Sequence, residues 1–290
     1  MSNQQTFYKL GLLGDNIANS LSPALHSAAL KQLGLQGHYD LLQWPETKRE
    51  QLPRLLNSLQ QQGYCGVNVT VPYKTAVLPY LQGLSPLAKQ LQAVNTICMH
   101  RDGSLMGHNT DVEGFANSLQ EANIEVPAHV MLLGAGGAAR AVAFALLSSG
   151  CQCLDVINRC AQRARRLQLC LQKAFPQAHI QVWPADCVGW QRVYEVDLVV
   201  NCTCLGAAQH AHQSPLPLQH RFLSSQVVCD VIYGHQPTLL LRQAAKRGAR
   251  VLNGNGMLLH QAAASFALWT HTATPLTAMR RAFGFHVKTL

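Results

Sequence analysis

Three short polar segments carry side chains suited to proton transfer and to the binding of hydroxyl groups. They lie at residues 20–22, 68–74 and 109–111; the second ends in Lys74 and the third in Asp111. A lysine can transfer a proton because its pKa falls readily on burial, whereas a nearby carboxylate favours the charged amine, which then acts as a fixed positive charge. Lys74 and Asp111 are therefore candidate catalytic residues, with both roles of Lys74 left open.

The same segments also have a structural interpretation. Ser22 precedes a proline and suits a helix N-cap. Asn68 and Thr70 can satisfy buried backbone groups, and Asp111 can cap the helix that follows it. Taken together, however, the segments place hydroxyls, a cation and a carboxylate after predicted strands, and ligands of α/β folds bind at the carboxyl ends of strands. The combination favours a binding site.

A glycine-rich turn indicates a dinucleotide site. Five small residues lie between an apolar strand and an apolar helix: Gly134, Ala135, Gly136, Gly137 and Ala138. Gly134 permits the tight turn, Gly136 lets the backbone approach a pyrophosphate, and Ala139 allows close packing of helix on strand. The start of the helix supplies free N–H donors and partial positive charge. The alternative is a glycine-rich turn without a ligand.

The next strand distinguishes the two nicotinamide cofactors. NAD sites usually place an acidic residue at the end of this strand to bind the ribose. Here the strand ends in Asn158 and Arg159, with Arg163 one helical turn further, and Asp155 lies two residues too early. A guanidinium can pair with a 2′-phosphate and stack on adenine. The pattern therefore predicts NADP(H), while solvent-exposed arginines at a helix start are the alternative.

Alternating strands and helices predict two α/β units. In the first, strands are expected at 7–13, 38–44 and 66–70, helices at 23–33 and 49–62, and a hairpin at 94–108. In the second, strands are expected at 129–133, 151–157, 179–183, 196–201, 226–232 and 250–252, and helices at 138–149, 160–174 and 237–247. The predicted fold class is α/β: an N-terminal α/β substrate domain and a Rossmann-like, doubly wound NADP-binding domain, with C-terminal helices that return to the first domain. The expected domains are residues 1–110, 111–253 and 254–290, the last containing helices that run to Phe283.

Composition excludes several other classes of protein. The net charge is +9, but the basic residues are mostly dispersed and form no long tract, so we expect no nucleic-acid partner. No apolar run reaches the roughly 20 residues of a membrane span. The N-terminus lacks the apolar core of a signal peptide, so we expect a cytoplasmic protein whose ten cysteines are reduced. We expect no metal site, since His210 and His212 have no further ligands at metal spacing.

Short motifs that match one protein family are spread over nearly the whole chain. They are Ser20–Pro23 with His26, Gly66–Lys74, Ala93–Thr96, Gly107–Asp111, Gly134–Ala138, Asn158–Arg159, Asp230–Tyr233 and Gly254–Leu258 with Gln261. Through these stretches the chain resembles the shikimate dehydrogenase family. The resemblance implies reversible, NADP-dependent reduction of 3-dehydroshikimate to shikimate, a step of aromatic amino acid biosynthesis. It implies a small-molecule substrate, and we expect a monomer or a homodimer.

The resemblance also implies a role for each matching position. Ser20 and Ser22 would bind the substrate carboxylate, and Lys74 would move the proton at the reacting oxygen, with Asp111 beside it. The positions implied to bind the rest of the substrate are Asn68, Thr70, Asn95, Asp111, Tyr233 and Gln261. The positions implied to bind the cofactor are Gly134–Ala138, Asn158, Arg159, Arg163, Thr203, Val231, Gly254 and Met257.

Five positions depart from the family pattern. The chain has Asn16, Asn19, Leu21 and Gln92 where Pro, His, a basic residue and Gly are usual. Val112 replaces a glycine and is similar to the quinate/shikimate branch, which also oxidises quinate and often prefers NAD. A quinate/shikimate enzyme with relaxed specificity is therefore the first alternative, and a non-catalytic dinucleotide-binding sensor is the second. A sensor needs neither of the two catalytic side chains.

Overall fold

The computed structural model describes residues 6–282 and residue 284. The described chain forms two compact units. The first contains the residues up to Thr110 and those from Leu259 onward, and the second contains Asp111–Leu258. In both units, alternating apolar residues form strands whose buried faces meet amphipathic helices, as the α/β pattern requires.

The first unit is built on a mixed six-stranded sheet. Its strands are β1 (Phe7–Gly14), β2 (Gln36–Gln43), β3 (Tyr64–Val69), β4 (Gly83–Leu84), β5 (Thr96–Met99) and β6 (Leu105–His108). Their order is β2-β1-β3-β5-β6-β4, with β1 parallel to β2 and β3, and β5 antiparallel to β3 and β6. Strands β5 and β6 form the predicted hairpin, and its turn contains Gly103 at a φ of +91°.

Three α-helices lie in the described part of the first unit that precedes the second unit in the chain. They are α1 (Ser22–Gln32), α2 (Leu52–Gln61) and α3 (Pro86–Leu91). Leu52, Leu56 and Leu59 of α2 are buried at helical spacing in a core cluster with β3 and β5. The sequence did not predict α3 or the two-residue strand β4, because elements this short leave no resolvable hydrophobic period.

The second unit is a parallel, doubly wound sheet. Its strands are β7 (His129–Leu133), β8 (Cys153–Ile157), β9 (His179–Trp183), β10 (Leu198–Asn201), β11 (Val227–Asp230) and β12 (Arg250–Leu252). Its helices are α4 (Asp111–Glu121), α5 (Gly137–Ser148), α6 (Ala161–Ala174), α7 (Cys187–Arg192) and α8 (Leu239–Ala245). The strand order β12-β11-β10-β7-β8-β9 reverses between β7 and β10, and ligands of such sheets bind in the crevice at this reversal. The predicted fold class is confirmed.

The chain then returns to the first unit through α9 (Asn255–Thr270) and α10 (Leu276–Ala282). Trp269 of α9 packs with Leu10, Tyr39 and Cys98, and α10 packs on α1. The Trp269 indole N–H donates to the carbonyl of Ile97 at 3.1 Å. The predicted return of the C-terminal helices is therefore confirmed, while Phe283 lies outside the described residues. No helix in the described part of the chain is long and apolar enough to cross a membrane.

Candidate active site

Buried amides and hydroxyls form a network at the strand ends of the first unit, here named the amide–hydroxyl cluster. Its members are Tyr39, Asn68, Asn95, Thr96, Thr110 and Ser265. Asn95 Oδ1 accepts hydrogen bonds from the Thr110 N–H at 2.7 Å and the Thr96 hydroxyl at 2.9 Å. Because all these groups are neutral, the cluster satisfies its own polar atoms without any buried charge.

Asn95 connects the cluster to the Gln261 side chain of α9. Its Nδ2 donates to Thr110 Oγ1 at 2.9 Å and to Gln261 Oε1 at 3.4 Å. The second distance is long for a hydrogen bond, so a ligand hydroxyl can replace it at little cost. The structure thus brings together two residues that the sequence assigned to the substrate, although they are 166 positions apart.

Asn68 belongs to the cluster but has little capacity left for a ligand. Its Nδ2 lies within hydrogen-bond distance of the Asn95 carbonyl, Thr96 Oγ1 and Ser265 Oγ, and its Oδ1 accepts from the Tyr39 hydroxyl at 2.8 Å. An amide has two N–H donors, and both are already used. The buried Asn68 side chain therefore supports Asn95, and its direct contact with the substrate stays a prediction.

Ser20 and Ser22 lie together just before and at the first residue of α1. The two hydroxyl oxygens are 3.2 Å apart, and the Ser22 N–H donates to Ser20 Oγ at 3.3 Å. Leu21 occupies the N-cap position in a helical conformation, and no side chain caps the helix. The N-cap interpretation of Ser22 is wrong, since the helix already includes this residue and its hydroxyl faces that of Ser20.

Thr70 and Lys74 lie in the turn that follows β3. The Thr70 N–H donates to the Leu13 carbonyl at 2.9 Å, and the Lys74 carbonyl accepts from the Val94 N–H at 2.8 Å. The second bond holds the backbone of Lys74 against Val94, the residue that directly precedes Asn95 of the cluster. Thr70 also lines a cleft of about 300 Å³ with Asn16. The half-buried Lys74 and the clustered amides thus lie at the same end of the sheet.

His26, which belongs to one matching motif, packs against Tyr39 of the amide–hydroxyl cluster. Its ring is fully buried and stacks on Tyr39, with ring centroids 4.4 Å apart and planes 2° from parallel. Burial lowers the pKa of His26 to about 3, so the ring is neutral at physiological pH. A neutral aromatic ring at this position holds the Tyr39 side chain that donates to Asn68.

In the second unit, the glycine-rich turn connects β7 to α5. Gly134 has a φ of +104°, and its N–H donates to the Ile157 carbonyl at 2.8 Å. A side chain here is excluded twice, by this backbone conformation and by Thr203 Cγ2, which would lie 3.0 Å from an added Cβ. Ala135, Gly137 and Ala138 continue the turn into α5, whose N-cap residue is Gly136.

The start of α5 fits the pyrophosphate of a dinucleotide. No side chain caps the helix, and a Cβ built on Gly136 would meet no atom within 4 Å. The helix thus begins with N–H groups that no side chain caps, next to open space at Gly136, as anion binding at a helix N-terminus requires.

The end of β8 presents positive charge and no available acid. Asn158 Nδ2 donates to the Cys160 carbonyl at 2.8 Å and so shapes the turn that carries Arg159. Arg159 and Arg163 are exposed, and neither forms an ion pair within residues 6–282. Asp155 is buried and accepts from the Trp183 indole at 2.9 Å, with His129 at 3.0 Å. The carboxylate within β8, that of Asp155, is thus occupied, so this strand end fits a 2′-phosphate better than a free ribose diol.

The ends of β10 and β11 form a second polar network, here named the carboxylate cluster. Its members are Asp230, Asn201, Thr203 and Thr238. Val231 and Tyr233 follow Asp230 directly, and 38% of the Tyr233 side chain is exposed. Gly254 approaches so closely that an added Cβ would lie 2.1 Å from the Val231 carbonyl oxygen. Met257, one turn into α9, is buried.

Asp111 is buried as the first residue of α4, directly after Thr110 of the amide–hydroxyl cluster. Chain connectivity alone therefore links this predicted catalytic carboxylate to the cluster.

Sequence reasoning assigned no role to several residues that the structure places in these networks, among them Ser265, Asn201 and Asp230. Ser265 lies on an apolar helix, where a single serine carries no recognisable signal. Asn201 ends an apolar strand, and Asp230 stands in a matching motif without an implied function. A polar residue at the carboxyl end of a parallel strand was the available signal for the last two.

Comparisons with known proteins agree with this geometry. The model of the shikimate dehydrogenase substrate binding domain matches residues 12–97, and that of the shikimate 5′-dehydrogenase C-terminal domain matches residues 254–282. A relative from Moorella thermoacetica, named shikimate dehydrogenase (NADP(+)), is 41% identical over 274 residues, which cover 94% of this chain and 91% of the relative. A relative of the same name from Bacillus subtilis is 37% identical, covering 93% of this chain and 94% of the relative.

Solved structures give the same result. The shikimate 5-dehydrogenase of Thermus thermophilus, in complex with NADP(H) and shikimate, has a TM-score of 0.83 and 36% identity, covering 96% of this chain and 98% of that chain. The quinate dehydrogenase of Corynebacterium glutamicum, in complex with NAD, has a TM-score of 0.87 and 32% identity, covering 96% and 99%. With relatives above 30% identity along nearly the full length of both proteins, this chain belongs to the shikimate dehydrogenase family.

Proposed function

We propose that this protein is an NADP-dependent shikimate dehydrogenase that reversibly reduces 3-dehydroshikimate to shikimate. The observation that carries the proposal is its end-to-end similarity to relatives bearing this name, in a chain that keeps both Lys74 and Asp111. The exposed guanidiniums at the end of β8, beside an Asp155 that is already hydrogen-bonded, support NADP over NAD.

The first unit supplies most of the substrate-binding residues in this proposal. Ser20 and Ser22 donate hydrogen bonds to the substrate carboxylate from the start of α1. Ring hydroxyls are held by Thr70, Asn95 and Gln261 of the first unit, with Asn68 in support. Asp111 and Tyr233, which belong to the second unit, are also assigned to the substrate. A site built to hydrogen-bond hydroxyl groups rejects analogues that lack them, because its own polar groups are then left unpaired.

Lys74 acts at the reacting oxygen. Reduction of a ketone requires a hydride at carbon, which the nicotinamide of NADPH supplies, and a proton at oxygen. The Lys74 ammonium donates that proton, or stabilises the developing alkoxide as a fixed cation. Asp111 is the second catalytic residue, and a carboxylate in this role favours the charged form of the amine.

The second unit holds the cofactor. Gly134–Ala138 and the N-terminus of α5 bind the pyrophosphate, and Asn158, Arg159 and Arg163 bind the 2′-phosphate and the adenine. The residues assigned to the nicotinamide side are Thr203, Val231, Gly254 and Met257. The second unit, Asp111–Leu258, is thus the dinucleotide-binding domain of this proposal, and the first unit, which includes the residues from Leu259 onward, is the substrate-binding domain. A cytoplasmic location and a monomeric or homodimeric state belong to the same proposal.

A four-way assay of nicotinamide absorbance tests the proposal. Shikimate and quinate are each incubated with NADP and with NAD. We expect turnover of shikimate with NADP and little turnover in the other combinations. Substantial oxidation of quinate would place the protein in the quinate/shikimate branch, to which Val112 is similar. Bound NADPH without turnover of either substrate would identify a dinucleotide sensor instead.

Arg159→Ala tests the choice of cofactor. Loss of a charge-assisted bond to the 2′-phosphate should raise the Kd for NADPH by about 10- to 100-fold. The Kd for NADH should change little. Arg165→Ala is the matched control, since Arg165 is also exposed near the start of α6 but donates to Gln168 at 2.6 Å. Equal effects of Arg159→Ala on both cofactors would remove this arginine from 2′-phosphate recognition.

A further inference from the structure

Asp230 is a buried carboxylate that none of the proposed steps uses. It is 2% exposed at the end of β11. Its oxygens accept from Asn201 Nδ2 at 3.1 Å, from the Ile232 N–H at 3.0 Å and from Thr238 Oγ1 at 2.7 Å. Among the residues that the structure describes, these partners are all neutral donors. A carboxylate surrounded in this way is an acceptor for every neighbour only while it is ionised.

The ionised carboxylate determines which way the Asn201 amide points. Asn201 is fully buried, and its Nδ2 faces the two oxygens of Asp230. Its Oδ1 therefore faces Thr203, from which it accepts the N–H at 2.9 Å and the hydroxyl at 2.7 Å. A flipped amide would place N–H donors against the Thr203 N–H, which is also a donor. Asp230 thus orients Thr203 through one intermediate side chain.

The same carboxylate also holds the loop that follows β11. The bond from the Ile232 N–H to Asp230 Oδ1 takes this backbone group out of the sheet. The carbonyl of Ile232 then accepts from the Gly254 N–H at 2.9 Å. Thr203, Val231 and Gly254 are the positions assigned to the nicotinamide side, and Asp230 is connected to all of them by hydrogen bonds or by the chain itself.

We propose that ionised Asp230 is a positioning residue that orders the loops after β10 and β11 for the nicotinamide half of the cofactor. The inference rests on the proposed function and deepens it, because it makes one buried charge responsible for the conformation of the loops that bind the nicotinamide. Asp230 does not touch the reacting atoms in this proposal and acts through Asn201 and the backbone of Ile232.

The ionisation of Asp230 makes this device sensitive to pH. Burial raises the pKa of Asp230 to about 6, against the opposing effect of its three hydrogen-bonding partners. The titratable groups around it are the thiols of Cys202 and Cys229, whose pKa values burial also raises, that of Cys229 to about 12. Arg250 on β12 acts on Cys229. Below pH 6 the carboxyl gains a proton, and one oxygen becomes a donor that faces other donors.

The test compares the wild type with Asp230→Asn, which resembles the protonated side chain at every pH. NADPH binding is measured by fluorescence titration from pH 5 to pH 8. The 2′-phosphate of the cofactor also titrates near pH 6, so the readout is the ratio of the variant Kd to the wild-type Kd, in which that titration cancels. We expect a ratio on the order of tenfold at pH 7.5, which falls toward 1 at pH 5.

Asp155→Asn is the matched control. Asp155 is also a buried carboxylate of this sheet, but it bonds to His129 and Trp183 rather than to the two loops. Its Kd ratio should stay near 1 across the range. A ratio for Asp230→Asn that is high at every pH would assign Asp230 a purely structural role, and a ratio of 1 throughout would remove it from cofactor binding. Either result overturns the proposal.

Thr203→Val serves if Asp230→Asn does not fold. This variant keeps the shape of the side chain and removes the hydroxyl from which Asn201 Oδ1 accepts a hydrogen bond. The ratio of its Kd to the wild-type Kd should likewise be larger at pH 7.5 than at pH 5. At pH 5 the protonation of Asp230 has already weakened the hydrogen bonds that connect it through Asn201 to Thr203 in the wild type. A wild type that fails to bind NADPH at pH 7.5 overturns the proposed function and this inference with it. Normal wild-type binding with pH-independent ratios overturns the inference alone.

Discussion

The amide–hydroxyl cluster of the first unit and the carboxylate cluster of the second solve the same problem with different chemistry. Both satisfy buried polar atoms at the ends of strands. The first uses neutral groups from four distant parts of the chain, whereas the second centres on one ionised carboxylate and two adjacent strands. A neutral network keeps its hydrogen bonds at any physiological pH, while a network centred on a charge that burial opposes loses them when that charge titrates. The difference predicts that substrate binding and cofactor binding respond differently to pH.

The largest effect should follow from Lys74→Ala in the first unit. Loss of proton transfer or of the fixed cation should lower kcat by about 100- to 10,000-fold. The Kd for NADPH should remain unchanged, because the cofactor residues belong to the second unit. Stopped-flow turnover and fluorescence titration measure the two quantities. Near-normal turnover would exclude Lys74 from the mechanism. A large loss of NADPH affinity would contradict the assignment of cofactor binding to the second unit.

Stability of Asp230→Asn as a function of pH sharpens the contrast between the clusters. Burial raises the pKa of Asp230 from 3.8 to about 6. The folded state therefore binds this proton more tightly, so the contribution of the residue to the free energy of unfolding is fully present below pH 3.8 and is lost as pH rises through 6. From pH 4.5 to pH 7.5 the wild type should lose about 2 kcal/mol more than Asp230→Asn.

Urea denaturation at both pH values measures this difference, with Asp102→Asn as the control. The hydrogen bonds from Ser104 hold the pKa of Asp102 in the first unit below its usual value. Its contribution is present above pH 3.8 and is lost only as pH falls further, so this variant should show the wild-type change between pH 4.5 and pH 7.5. Equal pH dependence in Asp230→Asn and the wild type would mean that the charge of Asp230 costs the fold nothing.

Ser265→Ala tests the neutral cluster. The Ser265 hydroxyl lies 2.8 Å from Thr96 Oγ1, 3.1 Å from Thr110 Oγ1 and 2.9 Å from Asn68 Nδ2. Its removal leaves buried groups short of a partner and should cost about 1–3 kcal/mol. Because the cluster positions Asn95 and Gln261, the KM for shikimate should rise while the KM for NADP stays constant at every pH from 6 to 8.

Ser118→Ala is the matched control for that variant. Ser118 is a buried serine of the second unit whose hydroxyl donates only to the Phe115 carbonyl within its own helix. Its loss should cost about 1 kcal/mol and change neither KM. If Ser265→Ala raised the KM for NADP as strongly as that for shikimate, the neutral cluster would not belong to the substrate side alone.

The two regions also differ in how far the sequence predicts them. The doubly wound sheet and its glycine-rich turn follow from local patterns, because strand, turn and helix signals stand within a few residues of one another. Asn68 was predicted as part of a polar site, but not its hydrogen bond to Ser265, which lies 197 positions away in the chain. The strand predicted at 226–232 ends at Asp230 instead. The Val231 N–H still donates to the Asn201 carbonyl, but the Ile232 N–H donates to the Asp230 side chain rather than to a neighbouring strand. Side chains that compete with the sheet for backbone groups leave no trace in a hydrophobic pattern.

The smallest effect concerns Gln92, a departure from the family pattern outside both clusters. It ends α3 with a φ of +51° and a ψ of +39°, and its side chain donates to the Lys89 carbonyl at 2.7 Å. Glycine adopts this left-handed conformation without steric cost, so Gln92→Gly should raise the free energy of unfolding by about 0.5–1 kcal/mol.

Gln90→Gly, two residues earlier and inside the helix, is the control and should lower the free energy of unfolding by a similar amount. Urea denaturation gives both values, and kcat and both KM values should stay at wild-type levels, since a turn outside the two clusters acts on stability alone. Opposite signs for two identical substitutions two residues apart would show that the backbone conformation, rather than the loss of a glutamine side chain, determines the effect.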